Sequence, residues 1–344
     1  MKNVIIIFLV FACLFYSCKE EKDVPPIANQ KIAQFDVIIL NEGNFQWGQG
    51  TVSMYDSRSR EVIDKVFQAN NNQRPLGDVA QSMTFKGDTA FIVINNSNKI
   101  EVVDLKTFKS IGQIEGLESP RNMLIINKNK AYVSDLYENQ IYIVDPEKFN
   151  ITGRIASNGW TEEMVLHDGK IFVCQIDSNQ LYVIDAQTDQ LLKKIPTASS
   201  PQYLEVDKNG AIWLSCSGGL NADTAAIQKI NSRTLTVEKS FYAKDHNANY
   251  MELAINQAAD QLCVLGNEGL FQFSIHADEF PSIPIIKNNG RNFYAMNINP
   301  QNDEIYICDA MDYQQKGLGY RYNWNGKEID HFRIGIIPGA IYFP

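Results

Sequence analysis

The chain has 344 residues, with 31 Lys+Arg against 40 Asp+Glu and a formal net charge of −9. Hydrophobic residues make up 44 %, a globular composition, and the length is enough to bury a core without disulfides. The acid excess excludes nucleic acid as the main partner, because phosphate binding needs a basic face.

The N-terminus reads as an export signal. Lys2 provides the positive start, and Val4 to Tyr16 is an apolar run of 13 residues, too short for a comfortable membrane span. The run ends at Leu14-Phe15-Tyr16-Ser17-Cys18. This boundary resembles a bacterial lipobox, although Tyr16 stands where a small residue is usual. The resemblance implies a lipoprotein signal peptide over 1–17, lipidation of Cys18, and a lipidated tether over 18–34. An ordinary secretory signal is the alternative. Lys19-Glu20-Glu21-Lys22-Asp23 resembles the surface-export tag of Bacteroidetes lipoproteins, and Val24-Pro25-Pro26 closes the linker. The expected location is the outer membrane, at the cell surface, with the membrane contacted through the N-terminal lipid.

From residue 35 onward a repeat dominates. Lys130-Ala-Tyr-Val-Ser-Asp135, Lys170-Ile-Phe-Val-Cys-Gln175, Ala211-Ile-Trp-Leu-Ser-Cys216 and Glu304-Ile-Tyr-Ile-Cys-Asp309 each follow a turn and carry an aromatic at the third position. A second run comes about ten residues later: Ile100-Glu-Val-Val-Asp104, Ile141-Tyr-Ile-Val-Asp145, Leu181-Tyr-Val-Ile-Asp185, Ile227-Gln-Lys-Ile-Asn231. Short apolar runs precede the aromatic ones, as at Met123-Leu-Ile-Ile126 and Met164-Val-Leu166. Period-2 alternation with turn punctuation predicts strands, and no segment shows a sustained helical period.

Four strands per unit at this spacing predict an all-β propeller over 35–344. The units are 35–67, 75–116, 119–156, 160–196, 200–241, 247–286 and 291–335, hence seven four-stranded blades. The irregular fifth to seventh units leave six or eight as alternatives. The first unit lacks an inner strand, and Pro338-Gly-Ala-Ile-Tyr-Phe343 matches one. The C-terminal strand should therefore complete the first blade and close the ring. Cys174, Cys216, Cys263 and Cys308 all fall in apolar runs without Cys-x-x-Cys or Cys/His spacing. They are expected as core thiols, with no metal site and no cofactor.

The Tyr-Val-Ser-Asp and Ile-Tyr-Ile-Val-Asp strands resemble those of YncE-like seven-bladed propellers, across nearly the whole mature chain. Val37-Ile-Ile-Leu-Asn-Glu-Gly-Asn-Phe45 and Gly50-Thr-Val-Ser-Met-Tyr-Asp56, together with the lipobox, look like Bacteroidetes surface lipoproteins that accompany TonB-dependent receptors. The cobalamin-capturing BtuG group is the best-known branch. The resemblance implies a non-catalytic protein, monomeric alone, that captures a nutrient, cobalamin or another corrinoid, and passes it to a TonB-dependent outer-membrane receptor. The Asn-Glu-Gly-Asn motif marks the group and by itself contacts no ligand.

A propeller gathers function where the loops leading into the inner strands meet those between the second and third strands. There the candidate ligand-binding residues are Phe45, Trp47, Arg74, Asn95, Arg121, Asp135, Tyr137, Trp160, Glu162, Tyr203, Tyr250, Arg291, Tyr294 and Tyr313. Aromatic side chains give contact area at low entropic cost, and amides and arginines add hydrogen bonds suited to a flat, polar-edged ligand. Signs of an enzyme are poor. Glu162 and Glu163 are adjacent, and adjacent strand residues point to opposite faces, so they form no ready acid/base pair. The competing readings are a propeller lyase or hydrolase using a channel cation with His246 and nearby acids, and an interaction scaffold without a small ligand.

Overall fold

The computed structural model describes residues 27, 29–48, 50–219, 224–245 and 248–344. The expected signal peptide and lipidated Cys18 lie outside the described residues, as does His246. Seven four-stranded antiparallel sheets form the protein, each a blade. Blade 1 has the order Pro338–Tyr342, Val37–Asn41, Thr51–Tyr55, Val62–Ile63, so the last strand of the chain is the inner strand of the first blade. The expected closure is therefore observed: Ile38 pairs with Tyr342, Ile39 with Ile341 and Leu40 with Ala340. The Tyr342 hydroxyl also accepts a hydrogen bond from Met83 N at 2.8 Å, which ties the closing strand to blade 2.

The repeat has a direct packing cause. Phe91, Tyr132, Phe172, Trp213 and Tyr306 are the aromatic thirds of the second strands, and all are fully buried. Seven apolar clusters hold the ring, and each spans two neighbouring blades. One of them joins Phe91 and Val93 of blade 2 to Met123 and Val133 of blade 3. No blade owns a core of its own, so the sheets are stable only as a ring. Burying one such large side chain contributes roughly 1.5–3 kcal/mol.

The closing Asp and Asn residues of the third strands are turn-formers. Asp145 Oδ1 accepts from Glu147 N (2.9 Å), Asp185 Oδ1 from Thr188 N (2.8 Å) and Asn231 Oδ1 from Thr234 N (2.9 Å). Each side chain replaces a backbone acceptor in a tight turn, which is why the position repeats. Two short helices, Asn29–Ile32 and Val66–Asn70, have no counterpart in the sequence reading. The second is a single packed turn, with Val66, Phe67 and Ala69 buried, too short to show a helical period.

The inner strands are longer than the apolar runs suggest. Pro120–Asn127 and Thr161–His167 each start three residues before the apolar runs at Met123 and Met164. The reason is a bulge. In all seven blades the register between inner and second strand slips near the start of the inner strand. The extra residue breaks the alternation and re-aims its side chain.

Candidate functional site

The bulges build the mouth of the axial channel. The slip falls at Gly339, Gln81, Arg121–Asn122, Glu162–Glu163, Gln202, Met251 and Tyr294 in blades 1 to 7. Below the mouth lies a cavity of about 140 Å³, lined by Gln81, Asn122, Glu162, Glu163, Tyr203, Glu205, Glu252 and Asn297 among others. Glu162 and Glu163 therefore line the same cavity. The expectation that they point to opposite faces fails because the bulge sets two residues against one and interrupts the period of two.

Arg121 lies across this mouth. Its Nε donates to Glu162 Oε1 (3.1 Å) and Oε2 (3.0 Å), and its Nη1 to Gln81 Oε1 (2.6 Å). Its Nη2 has no hydrogen-bond partner among the described residues. Glu162 is fixed from two further sides, by Trp160 Nε1 (2.6 Å) and Asn122 Nδ2 (3.4 Å). The guanidinium also stands 5.9 Å from the centroid of the Trp160 ring.

Glu42, from the Asn-Glu-Gly-Asn motif, reaches the same place from blade 1. It accepts a hydrogen bond from the Tyr294 hydroxyl at 3.3 Å. Burial pushes its carboxyl up to about 7, with the Arg121 charge and the Tyr294 hydroxyl pulling the other way. Deeper in the channel, burial raises Glu205 to about 8. It raises Glu163 and Glu252 well above the carboxylate range, and these two also repel each other. The Tyr203 hydroxyl, from the neighbouring wall, works against this rise at Glu252. Among the described residues, no three His, Cys, Asp or Glu side chains are grouped to hold a metal ion.

Above the channel mouth the loops display aromatics. Phe45 (58 %), Trp47 (74 %), Tyr137 (70 %) and Tyr313 (43 %) are exposed to solvent. The 44–48 loop is nevertheless held on both sides. Asn44 Nδ2 donates to Tyr313 O in blade 7 (2.9 Å). Gln46 N and Gly48 N donate to Asp78 before blade 2 (2.7 and 3.3 Å). Tyr313 in turn packs edge-on against Tyr294, with centroids 5.8 Å apart. Tyr313, Tyr294 and Glu42 thus form one chain of contacts, and Gln81, Arg121, Glu162 and Trp160 a second.

The other candidates have different places. Arg74 lies on the flank of blade 2, 2.7 Å from Glu101 and 4.9 Å from the Phe67 centroid. Burial alone would raise Glu101, yet hydrogen bonds from Arg74, Ser110 and Lys99 hold it below its ordinary value. Arg291 lies on the flank of blade 7, donating to the Tyr322 hydroxyl (2.9 Å) and pairing with Glu328 (3.5 Å). Tyr250 is buried between blades against Phe280, and Tyr203 is in the channel wall. Asn95 is buried, donating to Ser119 Oγ (2.9 Å) and Pro120 O (3.0 Å) of the next blade. Asp135 is buried, accepting from Ser119 N (2.7 Å), Tyr137 N and Glu138 N (both 2.9 Å). These two fasten loops together, as short polar side chains do in turns.

Glu42, Gln81, Glu163, Glu205 and Glu252 are among the residues at the channel that sequence reading did not select. A signal existed for two of them. Glu42 belongs to the motif already singled out, and Glu163 follows a selected residue directly. Cys174, Cys216, Cys263 and Cys308 are buried free thiols.

The chain matches the family described as "Domain of unknown function (DUF5074)" over residues 36–344 and belongs to it. No curated protein matches it by sequence. Among solved structures, a quinonprotein alcohol dehydrogenase-like protein of Bacteroides thetaiotaomicron superposes with a TM-score of 0.69 at 14 % identity. The match covers 91 % of this chain and 78 % of that one. A protein from Lactobacillus plantarum gives 0.69 at 12 % identity, covering 90 % and 99 %. The periplasmic gluconolactonase PpgL of Pseudomonas aeruginosa gives 0.67 at 13 % identity, covering 90 % and 98 %. At these identities the likeness is one of fold.

Proposed function

We propose that this DUF5074 protein is a non-catalytic binding protein whose aromatic face captures a large, flat, polar-edged nutrient. The resemblance to surface lipoproteins makes cobalamin or another corrinoid the first ligand to test, with a TonB-dependent receptor as the recipient and a lipid on Cys18 as the outer-membrane anchor. The observation that carries this reading is the 44–48 loop. It is bonded to both neighbouring blades, through the Asn44 side-chain amide on one side and the Gln46 N–H on the other, yet it turns Phe45 and Trp47 out to water. A rigid loop presenting bare aromatics is pre-organised for contact, because little side-chain or backbone freedom is lost on binding. Beside it, Arg121 Nη2, Gln81 and the Tyr313 hydroxyl offer hydrogen bonds to a ligand edge. The buried thiols support a binding role over catalysis, since burial raises Cys216, Cys263 and Cys308 above the ordinary thiol range and away from the reactive thiolate.

Calorimetric titration of the purified protein with cyanocobalamin, and with cobinamide as a second ligand, tests the proposal. One site per chain that is lost in Trp47→Ala supports corrinoid capture. No heat at high micromolar ligand removes the corrinoid and turns the search to other flat nutrients and to receptor pull-down.

A further inference from the structure

We propose that Asp78 is the positioning residue of the capture face: its carboxylate, mounted on blade 2, fills a concave set of N–H groups in the 44–48 turn and so fixes where Phe45 and Trp47 meet a ligand. The effect on binding rests on reading this face as the capture surface, whereas the hold on the turn does not.

The turn is one that its own residues disfavour. Trp47 N donates to Asn44 O (3.1 Å), which closes a turn over Phe45 and Gln46. Gln46 has a φ of 68° and Gly48 one of 63°, both left-handed. Glycine enters that region freely, but a residue with a Cβ is uncommon there and stays only where its surroundings hold it. Left-handed residues also gather successive N–H groups around one point, where a negatively charged acceptor fits. Asp78 supplies that acceptor from within the chain. Its Oδ2 accepts from Gln46 N (2.7 Å) and its Oδ1 from Gly48 N (3.3 Å). With Trp47 N bonded inside the turn, the three successive N–H groups of 46–48 are all engaged. Phe45 and Trp47 are exposed, so little packing directs their rings. Their direction comes from the backbone, and the backbone from this carboxylate.

Asp78 is itself rigidly mounted. It is buried. Its N donates to Ser97 Oγ (2.9 Å), its O accepts from Asn96 N (3.1 Å), and its Oδ2 also accepts from Asn96 Nδ2. These partners belong to the turn between the second and third strands of blade 2. Gly77 lies so close to that turn that a Cβ there would come 2.6 Å from Ile94 Cγ2 and 2.8 Å from Ser97 Oγ. Its carbonyl accepts from Gly50 N (2.9 Å), just beyond the aromatic turn. The frame of blade 2 is thereby carried into a loop of blade 1.

The test begins without ligand. Fluorine NMR on protein labelled with fluorotryptophan follows the four tryptophans, with Trp47→Ala locating the Trp47 signal, and hydrogen exchange follows the 44–48 amides. In Asp78→Ala the Gln46 and Gly48 amides should exchange at least roughly tenfold faster, and the Trp47 signal should shift and average. Added formate, a carboxylate small enough for the vacated place, should reverse both. Calorimetric titration with cyanocobalamin as probe then compares the wild type, Asp78→Ala, Trp47→Ala and the double variant. Asp78→Ala should weaken binding roughly tenfold in the wild type and clearly less once Trp47→Ala has removed the ring through which the carboxylate acts. Unchanged exchange and an unchanged Trp47 signal overturn the hold on the turn. An equal loss of affinity with and without Trp47 overturns positioning in favour of a direct or global effect, and full affinity with a loosened turn overturns the role in capture. A wild type that does not bind cyanocobalamin overturns corrinoid capture, and the exchange and fluorine signals then decide the hold by themselves. If Asp78→Ala does not fold, Asp78→Asn keeps the shape with a single accepting oxygen, and it should free one of the two amides.

Discussion

The Glu42 carboxyl fills the space that a side chain at Gly339 would need, with 2.3 Å between Oε1 and the position of a Cβ. The two residues are nearly 300 positions apart in sequence and adjacent only because the last strand completes the first blade. Ring closure and the floor of the candidate site are thus one event. Gly339→Ala should displace Glu42 without disrupting the fold, because the clash is with the end of a flexible side chain. We expect a stability change below about 1 kcal/mol together with altered ligand affinity, read by thermal melting and calorimetry on the same sample. A large fall in melting temperature would mean that the closing strand itself had shifted.

Trp47 and Trp213 provide a contrast within one residue type. Trp47 is 74 % exposed, whereas Trp213 is fully buried, parallel to Phe241 and edge-on to Phe273. Trp47→Ala should leave stability within about 0.5 kcal/mol of the wild type and weaken ligand binding at least roughly tenfold, as for an aromatic anchor. Trp213→Ala should cost about 3–5 kcal/mol through the cavity it leaves. Denaturant unfolding beside calorimetry separates the two effects. A stable Trp47→Ala protein with unchanged affinity would remove this loop from the site.

The same contrast shows what could be read in the chain. The blades were legible because aromatic thirds, turn-forming Asp residues and apolar runs recur in step with the packing of one blade on the next. Closure was legible because the first unit lacked a strand and Pro338 to Phe343 matched one. The channel was not, for two reasons. Bulges break the alternation at Glu162–Glu163, so a rule based on alternation assigns the wrong face. Ion pairing between distant positions is also invisible in one sequence. Arg74 and Arg291 look like ligand donors until Glu101 and Glu328 are seen beside them.

Tyr342 is the other bond that closes the ring. Its hydroxyl accepts from Met83 N in blade 2, beyond the strand it pairs with. Tyr342→Phe leaves this backbone N–H without its partner and should cost about 1–3 kcal/mol. Removing residues 338–344 should do more, since Val37 to Asn41 would then present an apolar open edge and the chain should aggregate. Urea unfolding measures the first effect, and light scattering the second. A truncated chain that remains monomeric and unfolds cooperatively would show that the ring does not depend on this strand.

Glu205 sets a pH dependence whose sign follows from its burial. Its carboxyl is raised from 4.5 to about 8 in the folded protein, by burial against the opposing backbone hydrogen bonds of Ile255 and Val206. Between these values the folded chain holds a proton that the unfolded chain has released. Stability is therefore fully present below about pH 4.5 and declines as pH rises, until the loss is complete above about pH 8. Glu163 and Glu252 act in the same direction. Glu205→Gln should raise stability at pH 8.5 by about 2–4 kcal/mol and change little at pH 4.5. Overall charge repulsion also grows with pH, so the exposed Glu279→Gln is the control for losing one charge. Urea unfolding of the three proteins at both pH values provides the measurement. If Glu205→Gln and Glu279→Gln respond alike at pH 8.5, the channel carboxyl is solvated and its burial has no energetic consequence.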